Sequence, residues 1–206
     1  MVIAVTGGIA SGKSTVSRML EQMGAPLIDL DVLARHVVEP GKHAWKEIVD
    51  YFGEGVLLQD GRIDRKKLSN IVFRDQEKRK KLESLTHPRI LDEMYRQVDE
   101  IASRDPNAII QVGIPLLFEL NLQYRFHKTL LVYARREVQQ KRLMERDGIS
   151  ESSADDILDS QMPIDEKFDR ADFVIRNEGT VEETREQVEA LWIQLKEEQR
   201  KRKVMT

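Results

Sequence analysis

Apolar and polar positions along the chain fall into two rhythms. Val2–Thr6 is a short apolar run that predicts a buried strand. A glycine-rich turn follows, then a helical stretch over Thr15–Met23 closed by Gly24. Pro26–Asp29 is a second short apolar run. From Leu33 to Ser103 the period is helical, with a break at Pro40-Gly41. Trp45, Ile48, Val49 and Phe52 share a face before a C-capping Gly53. Asp60-Gly61 reads as a turn. Asp64 caps a helix carrying Leu68, Ile71 and Val72. Thr86 is expected to cap a long helix burying Ile90, Leu91, Met94, Val98, Ile101 and Ala102.

Strands resume at Ala108–Val112, Thr129–Tyr133 and Phe173–Ile175, with a helix over Arg135–Arg146 and a polar, weakly helical Ser150–Arg170. Thr180 and Glu183 form a capping box opening a last helix with Val181, Thr184, Val188, Leu191, Trp192 and Leu195 on one face. Strands alternating with helices predict an α/β fold: about five mostly parallel strands, helices on both faces. The helical stretch between the second and third strands is too long for one crossover and reads as an insertion. No internal repeat or low-complexity segment appears.

Composition narrows the classes. The 206 residues suit one domain, or one domain with a sizeable insertion. Apolar residues at 40% and charged residues at 33% fit neither a membrane protein nor a disordered chain. The absence of cysteine excludes disulfides, thiolate zinc, iron–sulfur clusters and a cysteine nucleophile. The histidines at 36, 43, 87 and 127 are too scattered to suggest zinc. A net charge of -3 argues against a non-specific nucleic-acid binder. The basic end of Lys196–Lys203 reads as a solvated helix end. Met1–Met23 lacks a basic leader and is interrupted by glycines, so no membrane association and a cytoplasmic location are expected.

The chemistry concentrates in Gly7-Gly8-Ile9-Ala10-Ser11-Gly12-Lys13-Ser14, which matches the P-loop pattern G-x-x-x-x-G-K-[ST]. Glycines let successive N–H groups turn inward on phosphate oxygens, and the next helix presents its positive end to the same anion. Lys13 would reach the β- and γ-phosphates of ATP, and the Ser14 hydroxyl would ligate Mg²⁺. A strand before and a helix after are the context the motif requires.

Other nucleotide motifs fail. No N-K-x-D exists for guanine. Asp50–Gly53 ends a helix, and Gly53-Glu54-Gly55 lacks the third glycine of a dinucleotide fingerprint, with Leu58 in its place. Acids at a strand end occur only at Asp29 and Asp31, two apart and so on one face if the chain stays extended. One could orient or deprotonate an acceptor hydroxyl while the other helps hold Mg²⁺ through water; the plain alternative is a helix cap. Arg142 and Arg146, four apart, either close over transferring phosphate or form a solvated face with Glu145 or Asp147.

At this point the chain resembles the dephospho-CoA kinase family over nearly its whole length. The resemblance rests on Thr6–Ile9 with Ser14-Thr15, Ile28–Asp31 with Ala34-Arg35, Val38–Gly41, Asp60–Arg65, Ile71–Phe73, Thr86–Ile90, Pro115–Glu119, Gln139–Arg146, Gln161, and Ala171-Asp172 with Ile175 and Asn177. The blocks His87-Pro88-Arg89-Ile90 and Pro115-Leu116-Leu117-Phe118-Glu119 are its most specific parts. The resemblance implies a P-loop core (1–32, 106–149 and 171–206), a helical CoA-binding insertion (33–105) and a lid (150–170). It implies transfer of the ATP γ-phosphoryl group to the ribose 3′-hydroxyl of dephospho-CoA, by a monomer using Mg²⁺.

By position, Asp31 resembles the base, with Lys13 and Arg142 also catalytic. Gly8, Ala10, Ser11, Gly12, Lys13, Ser14, Thr15, Arg142, Arg146 and Asn177 resemble ATP contacts. Thr6, Asp31, His87 and Arg89 resemble substrate contacts. Ala10 stands where glycine is common and fits if its φ is negative. Gly113 stands where some members carry aspartate, which leaves Ser14 as the protein's Mg²⁺ ligand. A kinase for another small hydroxyl substrate and a nucleotide-binding regulatory module are the rivals.

Overall fold

The computed structural model describes residues 1–204, with side chains through Arg202. The Lys203 side chain of the basic tail and the last two positions of segment 171–206 lie outside the described residues. The chain forms β1 (Val2–Gly7), α1 (Lys13–Gln22), β2 (Leu27–Asp29), α2 (Leu30–His36), α3 (His43–Phe52), α4 (Arg65–Arg74) and α5 (Gln76–Arg104). Then come β3 (Ile110–Gly113), β4 (Lys128–Tyr133), α6 (Arg136–Asp147), α7 (Glu151–Asp159), α8 (Ile164–Phe168), β5 (Phe173–Arg176) and α9 (Val181–Val204). It divides into two compact units. One is Met1–Ile28 with the chain from Ile101 onward, and the other is Asp29–Glu100.

The first unit holds a five-stranded parallel sheet in the order β2-β3-β1-β4-β5. Its strands are apolar on both faces because both are covered. Ile3, Val5, Leu130, Val132 and Ile175 point toward Val16 and Leu20 of α1 and Val188, Leu191 and Leu195 of α9. The alternate positions Leu131 and Tyr133 pack on Ile164 and Phe168 of α8. The capping box closes as its spacing predicts: Thr180 N–H donates to Glu183 at 2.8 Å, and Glu183 N–H to Thr180 Oγ1 at 3.1 Å.

The second unit buries Ile48, Val56, Ile63, Leu68 and Leu85, the apolar faces of α3, α4 and α5 and the turn between them. Trp45 Nε1–H donates to the Gly61 carbonyl at 2.9 Å, which ties α3 to that turn. Asp64 caps α4 through Lys67 N–H at 3.0 Å.

One expected boundary is wrong. Thr86 does not open a helix but lies inside α5, whose start is capped by Asp75 accepting from Lys78 N–H at 3.1 Å. The Thr86 hydroxyl donates to the Leu82 carbonyl at 2.9 Å. Pro88 costs a helix interior about 3 kcal/mol. Burial of Leu85 and packing of Leu82 in the turn before it offset that cost and carry the helix through.

A surface cluster on α5 gives a pH signature. Glu93 accepts from Arg96 at 2.7 and 2.8 Å and from Gln97 at 2.8 Å. Hydrogen bonding to Arg96, above all, holds its carboxyl down from 4.5 to about 2. A depressed carboxyl stabilises the fold above its unfolded pKa and loses that contribution as pH falls through the folded value. Glu93→Gln is therefore expected to lower the Tm at pH 7. The gap to wild type should close between about pH 4.5 and 2, read by thermal unfolding across pH.

Candidate nucleotide site

The glycine-rich segment spans the end of β1 and the start of α1. Gly12 takes φ +90°, a left-handed value at the helix N-cap. Inside the loop, Ser11 N–H donates to the Gly8 carbonyl at 3.1 Å and Thr15 N–H to the Gly12 carbonyl at 2.9 Å. The amides of Ala10, Gly12, Lys13 and Ser14 have no acceptor among the described residues. Unpaired amides gathered at a helix N-terminus form an anion site. Lys13 is half-buried and without a carboxylate partner among the described residues, and the Ser14 and Thr15 hydroxyls are exposed.

Two side chains that no local pattern picks out flank this loop. Gln139, at the base of α6, donates to the Ala134 carbonyl at 2.7 Å and lies against Gly8, where a Cβ would collide with its Oε1. Asn177, just past β5, donates to the Ser11 carbonyl at 2.8 Å and accepts from Thr184 at 2.9 Å. It also fills the space a Cβ on Gly12 would need. Asn177 thus links the loop, through its Nδ2, to Thr184 of α9, through its Oδ1.

Ala10 departs from expectation. Its φ is +57°, not negative, which costs a residue with a Cβ about 1–2 kcal/mol. Its methyl, with Ile9, packs against Leu143 of α6 and Ala154 and Leu158 of α7. That contact and the hydrogen bonds on either side hold the conformation.

On α6, Arg142 is half-buried and makes no ion pair among the described residues. Arg146 is spent on Asp147, at 2.7 and 2.8 Å. Asp147 is one of the two partners expected for a solvated face. Arg136 fastens α7 to α6, reaching Asp159 at 2.7 Å and Asp155 at 2.8 Å. Thr6 is fully buried and donates to the Pro115 carbonyl at 3.3 Å, which ties β1 to the segment after β3.

In the Asp29–Glu100 unit, the two aspartates separate in role. Asp29 is the N-cap of α2 and accepts from Asp31 N–H at 2.8 Å. The helix begins at Leu30, so the pair does not share an extended face. Capping an otherwise orphaned amide is what diverts Asp29. Asp31 is exposed in the first turn. His87 and Arg89, two apart on α5, face different grooves. His87 lines one of about 650 Å³ with Val38, Ile63, Arg65, Leu82 and Thr86. Arg89 lines a smaller one of about 270 Å³ and is paired with Glu47 at 2.9 Å. A third groove, of about 470 Å³, carries Arg35, Arg62 and Arg65. No group of three or more potential metal ligands occurs among the described residues.

A sequence model described as dephospho-CoA kinase matches residues 1–183. The chain belongs to the dephospho-CoA kinase family. The family's reaction is the final step of coenzyme A biosynthesis, and the chain is a kinase. Its relatives include a dephospho-CoA kinase of Oceanobacillus iheyensis, 47% identical over 92% of this chain and 94% of that one. One from Geobacter sulfurreducens is 48% identical over 93% and 96%. Among solved structures, the dephospho-CoA kinase of Campylobacter jejuni superposes with a TM-score of 0.73 at 31% identity, covering 95% of this chain and 97% of that one. The Thermus thermophilus protein TT1252 does so at 0.80 and 37%, with the same coverage. The family's Pro-Leu-Leu-x-Glu block is seen to end in an ion pair, Glu119 with a fully buried Lys167 at 2.6 Å. Among the described residues, no helix is long and apolar enough to cross a membrane.

Proposed function

We propose that this chain transfers the γ-phosphoryl group of ATP to the ribose 3′-hydroxyl of dephospho-CoA, giving CoA and ADP. The observation that carries the donor half is the set of amides of Ala10, Gly12, Lys13 and Ser14, which, like the Lys13 side chain, have no partner among the described residues. Such a cradle fits the β- and γ-phosphates of a nucleotide. The acceptor half rests on family membership.

The acceptor oxygen forms a bond to γ-phosphorus while the bond to the β-bridging oxygen breaks, and that electron pair leaves with ADP. Asp31 takes the hydroxyl proton, as an exposed carboxylate can do late in the transfer. Lys13 and the loop amides neutralise charge on the β- and γ-phosphates. Arg142, which has no carboxylate partner among the described residues, is the better placed of the two α6 arginines to meet phosphate. Arg146 would have to leave Asp147 first. Asn177 acts on ATP through the loop it seats. In the Asp29–Glu100 unit, His87 and Arg89 are the candidate substrate contacts, each at its own groove.

Mg²⁺ accompanies ATP in this reading. The free Ser14 hydroxyl fits an ion that takes one or two protein ligands and fills its shell with phosphate oxygens and water, and the ion would neutralise phosphate charge. Residues 33–105 then serve as the CoA-binding insertion, 150–170 as the lid, and 1–32, 106–149 and 171–206 as the P-loop core. The enzyme works as a cytoplasmic monomer with small-molecule partners only.

Incubation with Mg·ATP and a panel of hydroxyl acceptors tests the reading. Dephospho-CoA is expected to be consumed, with CoA and ADP formed in equal amounts. Phosphorylation of a nucleoside monophosphate or a sugar acid, with no CoA from dephospho-CoA, would overturn it.

A further inference from the structure

The strained residue of the phosphate loop is gripped from both sides by side chains far away in sequence. Left-handed backbone at a residue with a Cβ persists where the surroundings over-determine it. On the C-terminal side of Ala10, the Ser11 carbonyl accepts from Asn177 at 2.8 Å. On the N-terminal side, Ile9 N–H donates to Gln161 Oε1 at 3.1 Å. Asn177 is fixed by the end of β5, its own N–H donating to the Tyr133 carbonyl at 2.8 Å. Gln161 lies in the short coil between α7 and α8, where its own N–H donates to the Leu158 carbonyl of α7 at 3.2 Å.

Glu119 holds the other side of Gln161. Its Oε1 accepts from Met162 N–H, next to Gln161, at 3.2 Å. The same oxygen meets Lys167 Nζ at 2.6 Å, one turn further along. Lys167 also approaches the Pro115 carbonyl at 3.5 Å, the atom to which Thr6 donates. Tyr133 Oη–H donates to Asp165 at 2.8 Å, which seats α8 on β4. A buried ion pair adds little net stability, because desolvation cancels most of the attraction. What this pair does supply is register. One carboxylate oxygen fixes two points of the 162–167 segment, and the residue beside the first point touches the phosphate loop.

We infer that Gln161 is a positioning residue for ATP, held against the phosphate loop by the Glu119–Lys167 pair so that Ala10 stays in its left-handed conformation. The inference rests on the reading that this loop binds ATP.

The test titrates the full chain, with Mg²⁺, against a non-hydrolysable ATP analogue, with thermal unfolding in parallel. Gln161→Ala is expected to weaken binding about tenfold with little change in Tm. Adding Ala10→Gly should recover most of that loss, since glycine takes φ near +57° without steric cost. A merely structural role for Gln161 would not produce this rescue. Glu119→Gln with Lys167→Met should weaken the analogue similarly and add little on top of Gln161→Ala, because all three act through one contact. Unchanged affinity in Gln161→Ala, no rescue by Ala10→Gly, or full additivity would each overturn the inference. Should the charge-pair variant fail to fold, the Gln161 and Ala10 variants decide alone. A wild-type chain that bound no analogue would remove the ATP reading and the inference together. A wild type that binds beside an unaffected Gln161→Ala would remove only the inference.

Discussion

Lys13→Ala is expected to lower kcat by about 10²–10³-fold and to raise the KM for ATP, while leaving the fold intact. The size follows from what the side chain offers. It is the one cation at the start of α1, it is half-buried, and no carboxylate among the described residues neutralises it. Its charge is therefore available to the β- and γ-phosphates as negative charge redistributes during transfer. Nothing in the packing depends on it, so circular dichroism and Tm should stay near wild type. Steady-state kinetics at saturating dephospho-CoA, with ATP varied, read the effect. A variant with near-normal turnover would remove Lys13 from the chemistry and leave the amides to bind phosphate unaided.

Asp31→Asn is expected to act on a different parameter. Turnover should fall by about 10²–10⁴-fold, the range for losing a general base, with both KM values within a few-fold of wild type. Asparagine keeps the shape of the side chain, and the Asp31 amide that caps onto Asp29 is backbone, so α2 should still begin at Leu30. The loss should appear at saturating substrates. Near-normal kcat in Asp31→Asn would mean that the acceptor proton goes elsewhere, and the base assignment would fall.

How much of this was legible beforehand depended on how local each feature is. The phosphate loop could be read from eight consecutive residues, because glycine positions, lysine and hydroxyl all serve one short stretch of backbone. The sheet could be read because strands covered on both faces are continuous apolar runs. The supports of the loop had no such local signal and entered only through the family resemblance. Gln139, Gln161 and Asn177 meet residues 8–12 across more than a hundred positions of sequence, and a lone amide side chain carries no periodicity. Ala10 misled for the same reason: its Cβ argues for negative φ, and only distant contacts reverse that preference. Thr86 misled because Thr-x-Pro imitates a helix start, whereas the Leu82 and Leu85 face carries the helix past proline. Asp29 and Asp31 were legible as a pair, but their division of labour waited on where α2 begins.

The placement of β1 at the centre of the sheet has a consequence for how the protein is made. This strand starts at residue 2, yet its neighbours are β3 and β4, whose first residues are 110 and 128. The clamp from Asn177 onto the Ser11 carbonyl spans 166 residues. During synthesis at roughly 5–20 residues per second, the phosphate loop would wait roughly ten to thirty seconds for Asn177 to be made. Contacts of such long range make folding slow relative to a helical bundle of equal size. The phosphate motif is thus complete as sequence 166 residues before the contact that clamps it. A chain truncated before β5 would keep every residue of the phosphate motif and lack the Asn177 hydrogen bond that holds it.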